Sequence, residues 1–279
     1  MAKKPKPPKP PYRVVLWSGG KDSTATLILA HEKGEPIDLV LMSLMWFDKK
    51  RGIPAENKKH LAWVMNYAKP LIESWGYKVK FVSSDKDYIY WFYKIRQSSE
   101  MHPETIGKYY GFVLGGSCKM QGEKALPAQR YLRQLRKEYD VTEYCGICID
   151  EPDRLAKLHA RKGQRSLLEE ERLTQWDTKR LCKRYGLLSP DYNGNRNRAG
   201  NCWFCPNQKI PELAELKTES PELYHELEIL AQEKNTVARG FKYGVPFEEI
   251  DRQVKEYLAN PPPPPAVQLS LFDDMEDFT

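Results

Sequence analysis

The sequence predicts a doubly wound parallel α/β sheet with a C-terminal helical extension. Three observations carry that expectation. Val14-Val15-Leu16-Trp17 is a short apolar run broken by Ser-Gly-Gly and followed by helix-forming Thr24 to His31, which reads as strand, glycine turn and helix. The alternation then continues along the chain, as parallel strands with crossover helices require. Finally, ten of the 21 prolines fall in two places, residues 5–11 and Pro261 to Pro265, where polyproline II is favoured over packed structure. The folded body is therefore expected over 12–260, between a basic arm at 1–11 and a Pro-rich acidic tail at 261–279. Within the body, 12–200 reads as a nucleotide-binding α/β domain, and 201–260 as a cysteine knuckle with helices.

After the first helix, Ile37 to Trp46 reads as a second buried strand. Ala55 to Trp75 reads as a helix presenting Leu61, Val64, Met65, Ala68, Leu71 and Ile72, and Tyr77 to Val82 as a third strand. The aromatic stretch Tyr88 to Arg96 fits helix and strand equally. Lys119 to Lys137 predicts a helix whose Lys119, Lys124, Arg130, Arg133, Arg136 and Lys137 form a basic face, suited to guiding a polyanion. Tyr144 to Ile149 reads as a buried strand. Thr174-x-x-Asp177 has capping-box spacing before a helix that Gly186 ends, and Leu213 to Ala231 and Pro246 to Ala259 read as two amphipathic helices.

Composition excludes several classes. Hydrophobic residues at 41% and charged residues at 29% describe a globular chain rather than a disordered or fibrous one. The longest mostly apolar run, Ile37 to Phe47, is far shorter than the roughly 20 residues that cross a bilayer, so no membrane span is expected. The Lys/Pro start lacks the apolar region of a secretory signal, so a cytoplasmic location is expected and the six cysteines are not read as a disulfide framework. The net charge of +6 leaves a modest excess on the body once the basic arm and the acidic end are set aside, a slight bias toward nucleotides or nucleic acid.

Chemistry concentrates at Ser18-Gly19-Gly20-Lys21-Asp22-Ser23. Between a strand and a helix, a glycine turn and a helix N-terminus converge their N–H groups on an anion, and side-chain bulk at Gly19 or Gly20 would obstruct its approach. The spacing is neither that of a Walker A loop nor that of a Rossmann fingerprint. It resembles instead the SGGxDS signature of the PP-loop superfamily, the ATP pyrophosphatases and sulfonucleotide reductases. That resemblance implies anion contact by Ser18, Gly19, Gly20 and Ser23, charge neutralisation by Lys21, and a part for Asp22 in assisting Mg2+ or orienting the loop. Asp48, beyond the second strand, is a candidate for holding adenosine or an ordinary solvated carboxylate. Asp150, Glu151 and Arg154 follow a predicted buried strand, where they either face the nucleotide as catalytic groups or form a solvated salt-bridge set.

Of the two C-x-x-C pairs, Cys145-Gly146-Ile147-Cys148 lies in the predicted strand, where positions three apart face opposite sides, so both are read as buried small hydrophobes. Cys202-Trp203-Phe204-Cys205-Pro206 follows a polar loop and fits a metal knuckle. Further segments sharpen the resemblance to the phosphoadenosine phosphosulfate (PAPS) reductase-like family, which includes DndC-like sulfur-transfer proteins. They are Gly116-Ser117-Cys118-Lys119, Tyr144 to Arg154, Leu181-Cys182-x-x-Tyr185-Gly186-Leu187 and Arg198-x-x-Asn201-Cys202-Trp203-Phe204-Cys205-Pro206. With the glycine turn they extend over about residues 13–210. The resemblance implies a [4Fe-4S] cluster held by Cys118, Cys182, Cys202 and Cys205, with zinc at the same ligands as the alternative. It also implies ATP or PAPS as the nucleotide, ATP cleavage between the α and β phosphates, and sulfur transfer from a donor protein, with DNA, tRNA or a metabolite accepting.

Two other readings stand beside it: sulfite-forming PAPS reduction, and a non-catalytic nucleotide-binding accessory protein. The soluble reductases use a cysteine in a C-terminal Glu-Cys-Gly-Leu-His segment, whereas the last cysteine here is Cys205. After the five prolines, which extend about 15 Å at roughly 3.1 Å per residue, comes Gln268-Leu269-Ser270-Leu271-Phe272. It resembles the bacterial sliding-clamp-binding motif QL[SD]LF, which implies docking through Gln268, Leu269, Leu271 and Phe272, with folding back onto the body as the alternative.

Overall fold

A computed structural model describes residues 7–112, 119–192, 199–238, 240–242 and 244–261. Cys118 with Gly116 and Ser117, the side chain of Lys119, Arg198, and the tail motif Gln268, Leu269, Leu271 and Phe272 lie outside the described residues.

The centre is a five-stranded sheet of β1 (Pro11–Leu16), β2 (Leu39–Leu44), β5 (Val79–Ser83), β6 (Asp140–Tyr144) and β7 (Gln164–Arg165), in the order β5-β2-β1-β6-β7. Every pairing in it is parallel. The chain builds outward from β1 on one side, then returns to add β6 on the other, so the order reverses between β1 and β6. Open α/β sheets bind ligands at the carboxyl end of such a reversal.

Alternation along the strands covers both faces. Val15, Val40, Met42 and Tyr144 pack with α1 (Lys21–Glu32), the helical stretch around Val64 to Ile72, α7 (Leu167–Glu170) and α8 (Gln175–Arg184). Their neighbours Val14, Leu39, Leu41 and Val141 pack on the opposite face, against Leu132, Ala128 and Leu135 of α5 (Lys119–Glu138). Because both faces are covered, these strands are near-continuously apolar.

A second core joins β3 (Trp46–Asp48), β4 (Ile53–Pro54) and α4 (Tyr88–Phe92) to α9 (Ile210–Glu219), α10 (Pro221–Ala231) and α11 (Phe247–Ala259). Phe47, Tyr88, Trp203 and Phe204 are its fully packed aromatic centre, with Tyr88 and Phe204 stacked at 4.1 Å between ring centroids. This core draws on both sides of the boundary expected at 200/201. Among the described residues, no helix is long and apolar enough to cross a membrane.

Four element boundaries differ from expectation, each for a local reason. The predicted second strand stops at Leu44, and Trp46 starts the separate hairpin of β3 and β4. The helix expected over 55–75 contains a π turn at Val64–Ala68 between α2 (Lys58–Trp63) and α3 (Lys69–Ser74), and Met65, expected on the packed side, is exposed. The single helix expected over 213–231 breaks at Ser220, because Pro221 carries no N–H and instead starts α10. The strand expected over 144–149 ends at Tyr144, and 145–150 is a loop. The opposite-face argument for Cys145 and Cys148 therefore does not apply, since it required strand geometry.

Candidate functional site

The turn after β1 has the geometry that an anion site needs. Gly19 adopts φ of +71°, the left-handed region in which side chains are strained. A Cβ there would also lie 2.6 Å from Cε1 of His60. Gly20 caps α1 with no side-chain hydrogen bond to the first turn, so the N-cap residue itself closes off none of that turn's N–H groups. The Ser18 hydroxyl lies 3.1 Å from the Ser23 hydroxyl, and Ser23 accepts from the Ser18 N–H, which folds the turn on itself. The Lys21 N–H donates to the Tyr192 hydroxyl at 3.2 Å.

From the other side of the reversal, the loop after β6 arrives in close contact. A Cβ on Gly146 would meet the Asp22 carbonyl carbon and the Ser23 nitrogen at 2.7 Å, so only glycine lets this loop lie against the start of α1. Between the two loops opens a cavity of about 460 Å³, lined by Ser18, Gly20, Asp22 and Ser23 with Cys145, Gly146 and Ile147. Its further wall carries Arg154, Lys157 and Arg161, positions i, i+3 and i+7 on and just beyond α6 (Pro152–His159). Three cations facing a helix N-terminus across a nucleotide-sized space favour a polyanionic ligand.

Of the predicted residues, the structure thus brings Ser18, Gly20, Asp22, Ser23 and Arg154 to one cavity. Lys21 turns aside, with its ammonium on Asp22 at 2.6 Å and on the Gln175 side chain at 3.3 Å. Asp150 is occupied at the start of α8, where its carboxylate accepts from the Gln175 N–H. Glu151 accepts from the Cys148 N–H and pairs with Arg154. Asp48 does not line the cavity. It pairs with Arg51 at 2.6 Å, and Arg51 in turn holds Glu226 of α10, so this acid ties the β3 hairpin to the C-terminal helices.

Asp22 is held by three donors at once: Lys21, the Thr178 hydroxyl at 2.7 Å and the Cys148 thiol at 3.5 Å. Ligand atoms of Asp22, Cys148 and Glu151 all lie within 4.8 Å of one another. The two carboxylates suit magnesium, while the thiol would suit zinc only after losing its proton. Burial, with the Asp22 carboxylate second, pushes the Cys148 thiol well above its ordinary value and opposes that loss.

Cys182 is likewise buried, donates to the Lys21 carbonyl at 3.2 Å, and is pushed up to about 12, chiefly by burial. It sits in the core beneath α1, whereas Cys202 packs against the second core and its loop bridges to Glu56. Cys145, expected to be a buried hydrophobe, lines the cavity, and its thiol is raised by burial against the opposing charges of Arg154 and Arg161.

Sequence reasoning missed His60. It is fully buried under Gly19, its Nδ1 lies 2.8 Å from the Ser189 hydroxyl, and burial with the nearby Lys124 ammonium pushes it down to about 4. The unfolded chain takes up this proton near 6.5, before the folded one does, so stability is full above that pH and falls as pH drops toward 4. Urea titrations between pH 8 and 4.5 are expected to show that fall with a slope approaching about 1.4 kcal/mol per pH unit. His60→Gln should flatten the profile; an equally steep fall in the variant would assign it to other groups.

No family model matches the sequence, and no curated protein matches it. Among solved structures, the U34-tRNA thiolase NcsA from Methanococcus maripaludis with its [4Fe-4S] cluster is similar over 81% of this chain and 74% of that one, at 13% identity and a TM-score of 0.37.

Proposed function

We propose that the protein is a PP-loop enzyme that grips the phosphates of ATP at Ser18–Ser23 and cleaves the nucleotide between its α and β phosphates. The observation that carries this is the α1 N-terminus, to which its N-cap residue Gly20 gives no side-chain bond, opening at the β1/β6 reversal onto a cavity whose far wall is basic. An acceptor oxygen attacks the α-phosphorus, the bond from that phosphorus to the bridging oxygen breaks, and pyrophosphate leaves with the electron pair. The acceptor's proton passes to solvent. A sulfur nucleophile supplied by a donor then displaces AMP from the adenylylated acceptor. The protein's share is positioning and charge stabilisation by Arg154, Lys157, Arg161 and the first-turn N–H groups. The resemblance adds a cysteine-held cluster, iron-sulfur or zinc, for which Cys118, Cys182, Cys202 and Cys205 would be the ligands and which would supply redox or sulfur-handling chemistry; among the described residues Cys182, Cys202 and Cys205 are not drawn together as a ligand group.

One experiment on anaerobically purified protein tests these parts together. Calorimetry with ATP and magnesium is expected to give binding heat, pyrophosphate is expected to appear on incubation with ATP, and metal analysis is expected to find iron with labile sulfide. Silence with both ATP and PAPS would remove the nucleotide reading. Sulfite formation from PAPS would replace cleavage of ATP with reduction.

A further inference from the structure

The nucleotide-sized cavity does not end at α6. It adjoins a second compartment of about 450 Å³ on the α5 face of the sheet, and the two share Leu16, Arg161 and Gln164. Together they form a trough between α5 and α6. Ala125 and Ala128 keep the α5 wall low, Leu16 and Leu132 give an apolar floor, and Arg133, Arg136, Arg161 and Lys162 stand along the rim.

The trough gathers cations from two elements around adjoining cavities. Several arginines outside the trough are matched, as Arg165 is with Glu170, Arg252 with Glu249 and Arg51 with Glu226. Among the described residues, no carboxylate pairs with Lys157, Arg161, Lys162 or Arg133. The acid lining the second compartment, Glu143, is buried and already neutralised, since Arg136 pairs with one oxygen and the Gln164 amide donates to the other at 2.9 Å. Clustered cations without partners raise the local potential and draw in anions.

Their layout argues against a second small anion. A lone phosphate needs donors converging on one point, whereas these side chains are spread along both walls of a trough that runs into the nucleotide site. Charge repeated along a backbone, over an apolar floor for sugars and bases, matches that layout.

We infer that the acceptor brought to the activated nucleotide is a nucleic-acid strand, whose backbone lies in the trough between α5 and α6 with phosphates on Arg133, Arg161 and Lys162. This rests on the reading of the glycine turn as the nucleotide site, and it names the substrate class that reading leaves open.

The test uses the full chain and labelled single-stranded DNA and RNA oligonucleotides of mixed sequence, followed by fluorescence anisotropy from about 50 to about 200 mM salt. Binding is expected to weaken steeply with salt. Arg133→Gln with Lys162→Gln, neither of which lines the nucleotide cavity, is expected to cost about tenfold in affinity. The same pair should lower the log–log salt slope by about 1.4, or roughly 0.7 for each strand contact removed, while ATP binding by calorimetry is unchanged. A preference for RNA or for DNA identifies the sugar and supports the proposal either way. Failure of the wild-type protein to bind either strand, an unaltered double variant, or equal competition by polyglutamate would overturn it. Loss of ATP binding in the wild type with oligonucleotide binding intact would instead sink the nucleotide reading, so the two failures are told apart.

Discussion

Gly146→Ala is expected to weaken nucleotide binding by about a hundredfold or more and to destabilise the fold by about 1–3 kcal/mol, the range for forcing extra atoms into a packed site. The added methyl would lie 2.7 Å from two backbone atoms of Asp22 and Ser23, neither of which can rotate away as a side-chain tip can. Relief requires the loop after β6 to lift from the start of α1, and that contact is what sets the width of the cavity. Calorimetry and urea denaturation measure the two effects separately. Gly122→Ala, at a helical position where the new methyl meets nothing within 4 Å, is the control and should bind as the wild type does. A Gly146→Ala protein with full affinity would show that the two loops do not jointly form the site.

Asp22→Asn is expected to lower ATP-dependent pyrophosphate release by about 10² to 10³, the magnitude typical of removing one preorganised electrostatic group. The asparagine retains the shape and keeps the Thr178 bond available, but it removes the negative charge that fixes the Lys21 ammonium, itself only 12% exposed. An ammonium left there without its carboxylate also costs about 1–3 kcal/mol in folding. Release at the wild-type rate, measured with protein shown to be folded by circular dichroism, would remove Asp22 from the machinery.

Where sequence succeeded and where it fell short follows from the range of the interactions involved. The β1 run, the double glycine and the start of α1 are contiguous, so the turn was legible. The capping box of Thr174 and Asp177 forms as expected, because both of its hydrogen bonds are local. Lys157 and Arg161 were also within reach, being three and seven positions after Arg154, a residue already singled out. His60 and Tyr192 were not. His60 meets Ser189 across 129 residues and Tyr192 meets Lys21 across 171, and nothing in either local stretch encodes the pairing. The apolar run at 144–149 misled because burial there comes from packing of a loop against α1 rather than from a strand, and Gly146 was the local sign of it.

The π turn at Val64–Ala68 has a geometric consequence. His60, Val64, Ala68 and Ile72 are all fully buried and stand four apart, yet at 3.6 residues per turn such a series would drift about 120° around its axis from first to last. The wider turn absorbs that drift. One unbroken edge of the rod thus braces Gly19 at its upper end and backs the sheet at its lower end, two duties that a helix of uniform pitch would have to divide between different sides.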